Sequence, residues 1–325
     1  MHHAGVAELT DLAPPAVSLR DEVLAGLARP QKTIAPKFFY DARGCELFDA
    51  ICVLPEYYPT RTELAIMRTH AADMAAVLGE GCALIEIGCG SGEKTRLLLE
   101  HLAPPVFVPV DIAAEQLKAS CDTLARAFPD LRIVPVRADF ALPVTLPPVL
   151  DGQDVRRRVL YFPGSTIGNF NRGEAFAFLE RWKPLLGADG ALLIGVDLKK
   201  DPGLLRAAYN DAAGVTAQFN LNLLVRFNRE LGADFDLAAF RHKAFYDGYL
   251  GRVEMHLESL RAQTVTVAGR RFGFAAGETI HTEISCKYSL EEFRALGRDA
   301  GYAPVAVWTD PARLFAVHCF AEAGS

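Results

Sequence analysis

Between residues 83 and 200 the chain alternates short apolar runs with segments of helical periodicity. The apolar runs, rich in Val, Ile and Leu, predict strands: ALIEIG, PVFVPVD, LRIVPVRAD, RRRVLYFPG and ALLIGVDL. The segments between them predict amphipathic helices: EKTRLLLEHL, AAEQLKASCDTLARAF and RGEAFAFLERWKPLL. Nearly continuous apolar strands separated by helices indicate a parallel sheet covered on both faces. Right-handed crossovers then give a doubly wound α/β fold that binds ligands at the carboxyl ends of its strands.

The end of the chain follows a different pattern. SLEEFRALGRDAGY predicts an amphipathic helix opened by a capping box, in which Ser289 is followed three residues later by Glu292. APVAVWTD and LFAVHCFAEA then predict two strands joined by the short DPAR turn. A parallel sheet finished by an antiparallel hairpin is the edge expected of the class I methyltransferase fold, which is Rossmann-like.

The remaining two segments predict a second, α+β domain. Residues 1–61 are mostly helical in pattern, whereas residues 199–285 begin with helical patterns and end in alternating stretches such as RVEMHLESL. We expect residues 62–198 and 286–325 to form the doubly wound domain. The other two segments would form one substrate-binding, capping domain, whose second piece is inserted before the last helix.

Charge and composition exclude several classes of partner. The 325 residues carry a net charge of −6 with no block of like charge, which argues against nucleic acid, RNA included, and against anionic membranes. No apolar run approaches the roughly eighteen residues of a spanning helix. The first residues lack a basic segment followed by an apolar one, so they do not resemble a secretion signal. We expect a cytoplasmic monomer with reduced thiols.

The spacing of cysteine and histidine argues against a metal site. No two of the seven cysteines lie two to four residues apart, as a zinc-binding pair usually would. The eight histidines are scattered, with no His-x-x-x-His pair. We therefore expect no metal.

The glycine-rich turn GCGSGEKT, residues 88–95, raises the question of which ligand it holds. A phosphate-binding loop needs a glycine directly before its Lys-Thr, but Glu93 stands there and would repel phosphate. A dinucleotide-binding turn needs its third glycine three residues after the second. Here Gly88, Gly90 and Gly92 follow at intervals of two, which weakens that interpretation without excluding it.

A third kind of binding turn, in which an acid lies two residues before three alternating glycines, matches this sequence better than the phosphate-binding and dinucleotide-binding turns. This pattern, Glu86 followed by Gly88, Gly90 and Gly92, resembles the first motif of methyltransferases that use S-adenosyl-L-methionine (SAM). The glycines let the backbone come close to the methionyl part of the cofactor. The acid and the amides at the helix end suit the amine and the carboxylate of that part.

Two further acids fall at the ends of successive predicted strands. Asp111 ends PVFVPVD about twenty residues past the glycines, the distance at which a carboxylate can hold both ribose hydroxyls. Asp139 ends the next strand and can accept from the adenine amino group, while Phe140 stacks on the ring. Taken singly, Asp111 fits a helix cap and Phe140 fits the core. Their order along the strands favours a methyl-donor site over a nicotinamide site.

Most of the chain from about residue 20 onward resembles the L-histidine Nα-methyltransferase family of ergothioneine biosynthesis. The segments that carry the resemblance are PKFFYDARGCELFDAICVLPEYYPTRTE, GSTIGNF, YNDAAGVTAQFN, NRELGADFDL, RVEMHLES and TEISCKY. The resemblance implies that SAM donates three methyl groups in succession to free L-histidine, giving trimethylhistidine (hercynine). It also covers the inserted domain, so it extends beyond a shared cofactor fold.

The resemblance assigns roles to particular positions. Its cofactor contacts fall at Gly88, Lys94, Asp111, Asp139 and Phe140. Its amino-acid contacts fall at Tyr57, Asn169, Tyr209, Glu283 and Ser285, with Met255 bordering the side-chain pocket. Tyr40 matches a tyrosine close to the reacting amine, and we expect it, or a water it orients, to relay a proton.

These residue types suit a free amino acid with an imidazole ring. Tyr57, Tyr209 and Asn169 are neutral donors for a carboxylate. Glu283 can accept a hydrogen bond from one ring N–H, while Ser285 forms a hydrogen bond with the other ring nitrogen. Alternation along HTEIS predicts that His281 shares a face with Glu283 and Ser285, with the residues between them on the other face.

Other interpretations remain open from the sequence. The same fold can methylate another free amino acid, such as tryptophan or tyrosine, although Glu283 and Met255 favour histidine. A protein that binds the donor and an amino acid without reaction would carry the same residues. Taken singly, PEYYP fits a packed loop, Asn169 a turn, Met255 the core and Glu283 a solvated face.

Overall fold

The computed structural model describes residues 5–12, 19–90 and 92–323. Residues 1–4 and 13–18 of the predicted capping domain lie outside the described residues. The described strands are β1 (Thr10–Asp11), β2 (Lys32–Thr33), β3 (Cys82–Ile87), β4 (Val106–Asp111), β5 (Arg132–Ile133), β6 (Val136–Arg137), β7 (Arg157–Phe162), β8 (Ala191–Asp197), β9 (Phe240–Asp247), β10 (Arg252–Ser259), β11 (Gln263–Val267), β12 (Arg270–Phe274), β13 (Thr279–Cys286), β14 (Tyr302–Thr309) and β15 (Phe315–Glu322).

The described α-helices are α1 (Leu19–Leu27), α2 (Ala42–Cys52), α3 (Tyr58–Leu78), α4 (Glu93–Leu102), α5 (Ala114–Ala127), α6 (Arg172–Leu186), α7 (Pro202–Ala208), α8 (Val215–Leu231) and α9 (Leu290–Asp299). In this part of the chain, none of them combines the length and apolarity that crossing a membrane requires. The chain divides into two compact units, one of residues 5–12, 61–199 and 288–323 and one of residues 19–60 and 200–287.

The first unit is built on one large sheet. Its strand order is β1-β6-β4-β3-β7-β8-β15-β14, and β5 also pairs with β4. Every pair from β1 to β8 is parallel, whereas β15 runs antiparallel to both β8 and β14. The predicted doubly wound sheet with an antiparallel terminal hairpin is confirmed.

Apolar content and helix caps explain the elements of this unit. All residues of β3 and β8 are buried, as expected for central strands covered on both faces. The helix α9 begins after the predicted capping box, in which the Ser289 side chain accepts from the Glu292 amide and Glu292 reaches back to the Ser289 N–H. Asn171 and Glu174 form a second capping box at the start of α6.

The stretch LRIVPVRAD differs from the prediction of one strand. It forms two strands of two residues, β5 and β6, separated by Val134 and Pro135. Proline has no N–H to donate to a neighbouring strand, so the pairing is interrupted there. The chain also begins differently, because β1 pairs in parallel with β6 and residues 5–12 therefore belong to the first unit.

The second unit combines a smaller sheet with helices. The sheet has the order β2-β13-β10-β9, and β11 pairs with β12 in a separate hairpin. The helix α8 packs against α2 and against the 3-10 helix Pro36–Phe39, where the rings of Phe39 and Phe219 stack with centroids 4.4 Å apart.

A β-bulge interrupts the antiparallel pairing of β10 with β13. Met255 pairs with Glu283, but the next residue, His256, pairs with His281, so Thr282 is an extra residue on β13. Consecutive residues on β10 face opposite sides of the sheet, and paired residues share a side. The bulge therefore separates Glu283 from His281, and Ser285 lies on the side of Glu283.

Candidate active site

The glycine turn lies between β3 and α4 and has left-handed backbone geometry. The φ angles of Gly88, Gly90 and Gly92 are +71°, +46° and +71°, a region that disfavours residues with a Cβ. A Cβ placed on Gly88 or Gly90 would meet nothing within 4 Å, so open space lies beside this backbone. Ser120 of α5 holds the turn by donating to the Gly90 carbonyl at 2.6 Å.

Glu86 is a carboxylate buried beside the turn, with 1% of its surface exposed. The Thr95 hydroxyl donates to Oε1 at 2.6 Å, while Oε2 is buried and has no hydrogen-bond partner among the described residues. Burial raises the pKa of Glu86 to about 8, against the lowering effects of Thr95 and of the nearby Lys94 charge. A buried carboxyl with one oxygen that has no hydrogen-bond partner can bind a cationic ligand.

The other predicted cofactor acids lie at the same edge of the sheet. Asp111 is the last residue of β4 and accepts from the Ala113 amide at 2.9 Å, and its burial raises its pKa. Asp139 follows β6 and accepts from the Ala141 amide at 3.0 Å. Because β6, β4 and β3 are parallel neighbours, their carboxyl ends present Asp139, Asp111 and Gly88 in that order.

Phe140 is part of an aromatic cluster at this edge. Its ring meets the rings of Phe162 and Phe170 edge-on, with centroids 5.7 and 6.5 Å away. Arg181 fixes the loop by donating to the carbonyl oxygens of Phe140 and Ala141. The ring is partly exposed, which leaves its stacking on adenine a prediction.

Lys94 forms an ion pair that the sequence did not indicate. Its Nζ donates to Oε2 of Glu63 at 2.5 Å, and Glu63 is completely buried. The Gly164 amide, just after β7, donates to the same carboxylate at 2.9 Å. Lys94 therefore has a charged partner within the protein, and a contact between Lys94 and the cofactor stays a prediction.

Asn169 is placed by an irregular turn after β7. It ends the 3-10 helix Thr166–Asn169, which Ser165 precedes in the left-handed region at φ +58°. The Ser165 Oγ accepts from the Asp197 amide at 2.9 Å, which ties this turn to the end of β8. Asn169 is partly exposed and belongs to the first unit.

Three side chains of the second unit form a closed hydrogen-bonded triangle. Lys287, 1% exposed, donates from Nζ to Tyr209 Oη at 2.9 Å and to Ser285 Oγ at 2.7 Å. Tyr209 Oη in turn donates to Ser285 Oγ at 2.8 Å. The sequence analysis predicted Tyr209 and Ser285 but missed Lys287, which continues the alternation of Glu283 and Ser285 along the chain.

Glu283 lies on β13 opposite Met255 and is partly exposed, whereas Met255 is buried. Burial raises the pKa of Glu283 to about 7, and the positive charge of Lys287 opposes that rise. Tyr57 meets the Tyr209 ring edge-on at 6.2 Å, and burial raises its pKa well above the usual range. Tyr57 is therefore a neutral phenol, able to donate.

Tyr40 is held by its neighbours in the FFYDA segment. Its ring lies edge-on to Phe48 at 5.7 Å and to Phe219 at 6.0 Å. The next residue, Asp41, caps α2 by accepting from the Gly44 amide and also accepts from Arg229. These bonds outweigh the effect of burial and lower the pKa of Asp41. The Tyr40 backbone is thus anchored at the start of a helix.

The prediction that His281 shares a face with Glu283 and Ser285 is wrong. The bulge at Thr282 places His281 opposite His256, on the other side of the sheet. The His281 ring stacks on that of His256 with centroids 4.6 Å apart, and its Nε2 donates to the Glu283 carbonyl at 3.1 Å. Simple alternation fails because one strand contains an extra residue.

Three features of the first unit fit parts of SAM. The orphaned Oε2 of Glu86 suits an ammonium group, and the open backbone at Gly88 and Gly90 leaves room for the methionyl part. Asp111, at the end of β4, suits a ribose diol. The doubly wound sheet with its antiparallel hairpin and this acid-glycine turn define a class I SAM-dependent methyltransferase.

Comparison with known proteins narrows the class. The chain belongs to the histidine-specific, SAM-dependent methyltransferase family, whose profile matches residues 19–322. It is 44% identical to the histidine N-alpha-methyltransferase of Mycolicibacterium smegmatis over 92% of this chain and 94% of that protein. Identity to the Mycobacterium tuberculosis protein of the same name is 40%, over 94% and 95%. Ergothioneine biosynthesis protein 1 of Neurospora crassa is 31% identical, over 93% of this chain and 35% of that protein.

SAM binding should release a proton from Glu86. Below a pH of about 8 this buried carboxyl is mainly protonated, and the ammonium of SAM favours its ionised form. At pH 7 we expect up to about one proton released per SAM bound, measured from the dependence of calorimetric heat on buffer ionisation. Glu86→Gln should abolish the release, whereas Glu93→Gln, an exposed acid paired with Arg68, should keep it. Binding by the native chain without proton release at pH 7 would refute this role.

Proposed function

We propose that this protein transfers three methyl groups in succession from SAM to the α-amino nitrogen of free L-histidine. The product is trimethylhistidine (hercynine), and the reaction is the first step of ergothioneine biosynthesis. Membership of the histidine-specific family supports the substrate class. The single observation that carries the choice of histidine is the placement of Glu283 and Ser285 on one side of β13, with Glu283 opposite Met255 and Ser285 hydrogen-bonded to Tyr209 and Lys287.

Glu283 and Ser285 can recognise the two nitrogens of an imidazole. Ser285 Oγ accepts from both Lys287 and Tyr209, so its own O–H remains to donate to an unprotonated ring nitrogen. Ionised Glu283 accepts from the other ring nitrogen, which carries a proton. The pair therefore selects the neutral ring with its N–H toward Glu283. An apolar side chain would leave both groups unpaired, at a cost of about 1–3 kcal/mol each.

The tyrosines and Asn169 suit the remaining groups of an amino acid. Tyr57 offers a phenol donor for the substrate carboxylate without a competing negative charge, and Tyr209, whose hydroxyl already donates to Ser285, places its ring beside that of Tyr57. In the first unit, Asn169 offers an amide donor. Bound SAM supplies a methyl group on a positively charged sulfur. The protein contributes by holding the neutral amine in line with that methyl at about 3 Å.

The amine must lose one proton before each of the three transfers. Tyr40, or a water that it orients, relays that proton away from the nitrogen in this proposal. Its ring is fixed between Phe48 and Phe219, and its backbone is anchored by the Asp41 cap.

No resident metal takes part in the transfer as proposed. We also infer a monomer without a nucleic-acid partner, acting in the cytoplasm, where its seven cysteines stay reduced.

End-point mass measurement tests the proposed reaction. With excess SAM, histidine should gain the mass of three methyl groups, whereas tryptophan and tyrosine should remain unmethylated in the same panel. Fragmentation should place all three groups on the α-nitrogen. Unchanged histidine, with SAM bound, would favour a non-catalytic binding protein, and methylated tryptophan or tyrosine would favour the other amino-acid substrates.

Removing the proposed ring acceptor should weaken turnover of histidine selectively. Glu283→Ala leaves a ring N–H unpaired, at about 1–3 kcal/mol, so kcat/KM for histidine should fall roughly 10- to 100-fold. The Kd for SAM should stay within about twofold. Glu46→Ala, which removes an exposed acid on α2, is the matched control and should change neither. If histidine kinetics were unaltered in the Glu283 variant, Glu283 would not be part of the substrate pocket.

The charge of Lys287 should set the pH at which Glu283 ionises. Lys287 lowers a pKa that burial raises to about 7, so Lys287→Met should raise it further. Because ionised Glu283 accepts the ring N–H, kcat/KM for histidine falls as pH drops through the pKa. We expect this acidic limb to move to higher pH in the variant. Lys243→Met, on β9 and well exposed, should leave the profile in place, and an unmoved limb in Lys287→Met would contradict the assignment.

Loss of the Tyr40 hydroxyl should slow proton removal while leaving binding intact. In Tyr40→Phe we expect kcat to fall about tenfold or more, with mono- and dimethylated histidine accumulating under single-turnover mass analysis. Tyr249→Phe, whose native ring is 97% exposed, serves as control. Three methylations at the native rate in Tyr40→Phe would show that the hydroxyl is dispensable.

A further inference from the structure

The face of the β10–β13 pair opposite Met255 and Glu283 carries three potential metal ligands. Glu254 and His256 lie two residues apart on β10 and therefore project to the same side. The bulge at Thr282 brings His281 opposite His256 on that side. A ligand atom from each of the three residues lies within 4.8 Å of the others. All three belong to the second unit.

The spacing is close to that of a transition-metal centre. His256 Nε2 lies 3.0 Å from Glu254 Oε2, whereas His281 Nε2, 3.7 Å from the same oxygen, donates to the Glu283 carbonyl and leaves Nδ1 as the ligand atom of His281. In a tetrahedral zinc site with bonds near 2.05 Å, ligand atoms are about 3.3 Å apart. The two imidazoles now stack with 14° between their planes, so a rotation of the His281 ring is needed to direct both toward one ion.

Neighbouring groups form hydrogen bonds to the three side chains and fix their orientation, as the groups around metal ligands do. Arg252 donates twice to Oε1 of Glu254, at 2.6 and 2.8 Å, which leaves Oε2 directed at the imidazoles. His256 Nδ1 is paired with the Thr279 hydroxyl at 3.1 Å. His281 Nε2 donates to a backbone carbonyl, so its Nδ1 keeps a lone pair. Glu254 and His256 are buried, at 8% and 7% exposure.

We propose that Glu254, His256 and His281 bind one divalent transition-metal ion of the zinc class, on the opposite face of the strand pair from Glu283. Two imidazoles and one carboxylate select such an ion over Mg²⁺ or Ca²⁺, which require oxygen ligands. Water fills the fourth position. The role is structural, since His281 lies on β13, the strand that carries the proposed pocket. The site does not depend on the identity of the methyl acceptor.

Zinc titration of the full chain tests the site. His2 and His3, adjacent histidines that can bind metal themselves, are first changed to Gln in every version of the protein, and no affinity tag is present. After EDTA treatment and dialysis, we expect one equivalent of Zn²⁺ per chain in competition with a chelating dye. His256→Gln and His281→Gln should each weaken binding at least tenfold. His101→Gln, an exposed histidine in the last turn of α4, should not.

Two further measurements keep the result independent of variant folding. Co²⁺ added to the chain with native Glu254, His256 and His281 should give the intense visible absorption of four-coordinate cobalt, which Zn²⁺ then displaces. Arg252→Met removes the group that orients the Glu254 carboxylate and should weaken Zn²⁺ binding about tenfold or more, whereas zinc bound elsewhere on the chain would not respond. Absence of zinc binding, equal binding by the histidine variants, or only the weak spectrum of six-coordinate cobalt would overturn the proposal.

Discussion

Removing a carboxylate from water disfavours its charged form, and a proposed ligand site in each of the two units depends on this constraint. In the first unit, burial raises the pKa of Glu86 to about 8, and one of its oxygens has no partner in the described part of the chain. In the second unit, burial raises the pKa of Glu283 to about 7. Each acid lies where a ligand with N–H groups would satisfy it. We propose the ammonium group of SAM as the ligand of Glu86 and the imidazole of histidine as the ligand of Glu283.

The sequence predicted the first unit well because its signals are local. The helices α4 and α6 begin and end at the residues of EKTRLLLEHL and RGEAFAFLERWKPLL, and the capping box at Ser289 forms as expected. The preference for right-handed crossovers then restricts how these strands and helices can be arranged. Pro135 is the exception, since its effect on pairing divides into two short strands a run that was predicted as one.

The second unit was harder to predict because its geometry depends on pairing between distant strands. The bulge at Thr282 has no signature in HTEIS, and it alone decides that His281 faces away from Glu283. Lys287 lies two residues beyond Ser285, yet its contact with Tyr209 joins residues 78 apart in the chain. The same holds for Glu63, whose partner Lys94 is 31 residues away. His256 and His281 are too far apart in the chain for any spacing rule to pair them. The one-residue shift in strand register at Thr282 nevertheless brings them into contact.

The raised pKa values also couple folding to ligand binding. A carboxyl whose pKa is higher in the folded chain than in the unfolded one contributes stability at low pH that is lost as pH rises toward the folded value. For Glu86 that window runs from the ordinary value of 4.5 to about 8, and each unit of difference corresponds to about 1.4 kcal/mol. A bound ammonium reverses the preference, because it stabilises the ionised form. The stabilisation that such a ligand confers therefore grows with pH across this window. The cofactor stabilises the folded chain most at the high-pH end, where burial of the Glu86 carboxyl is most destabilising.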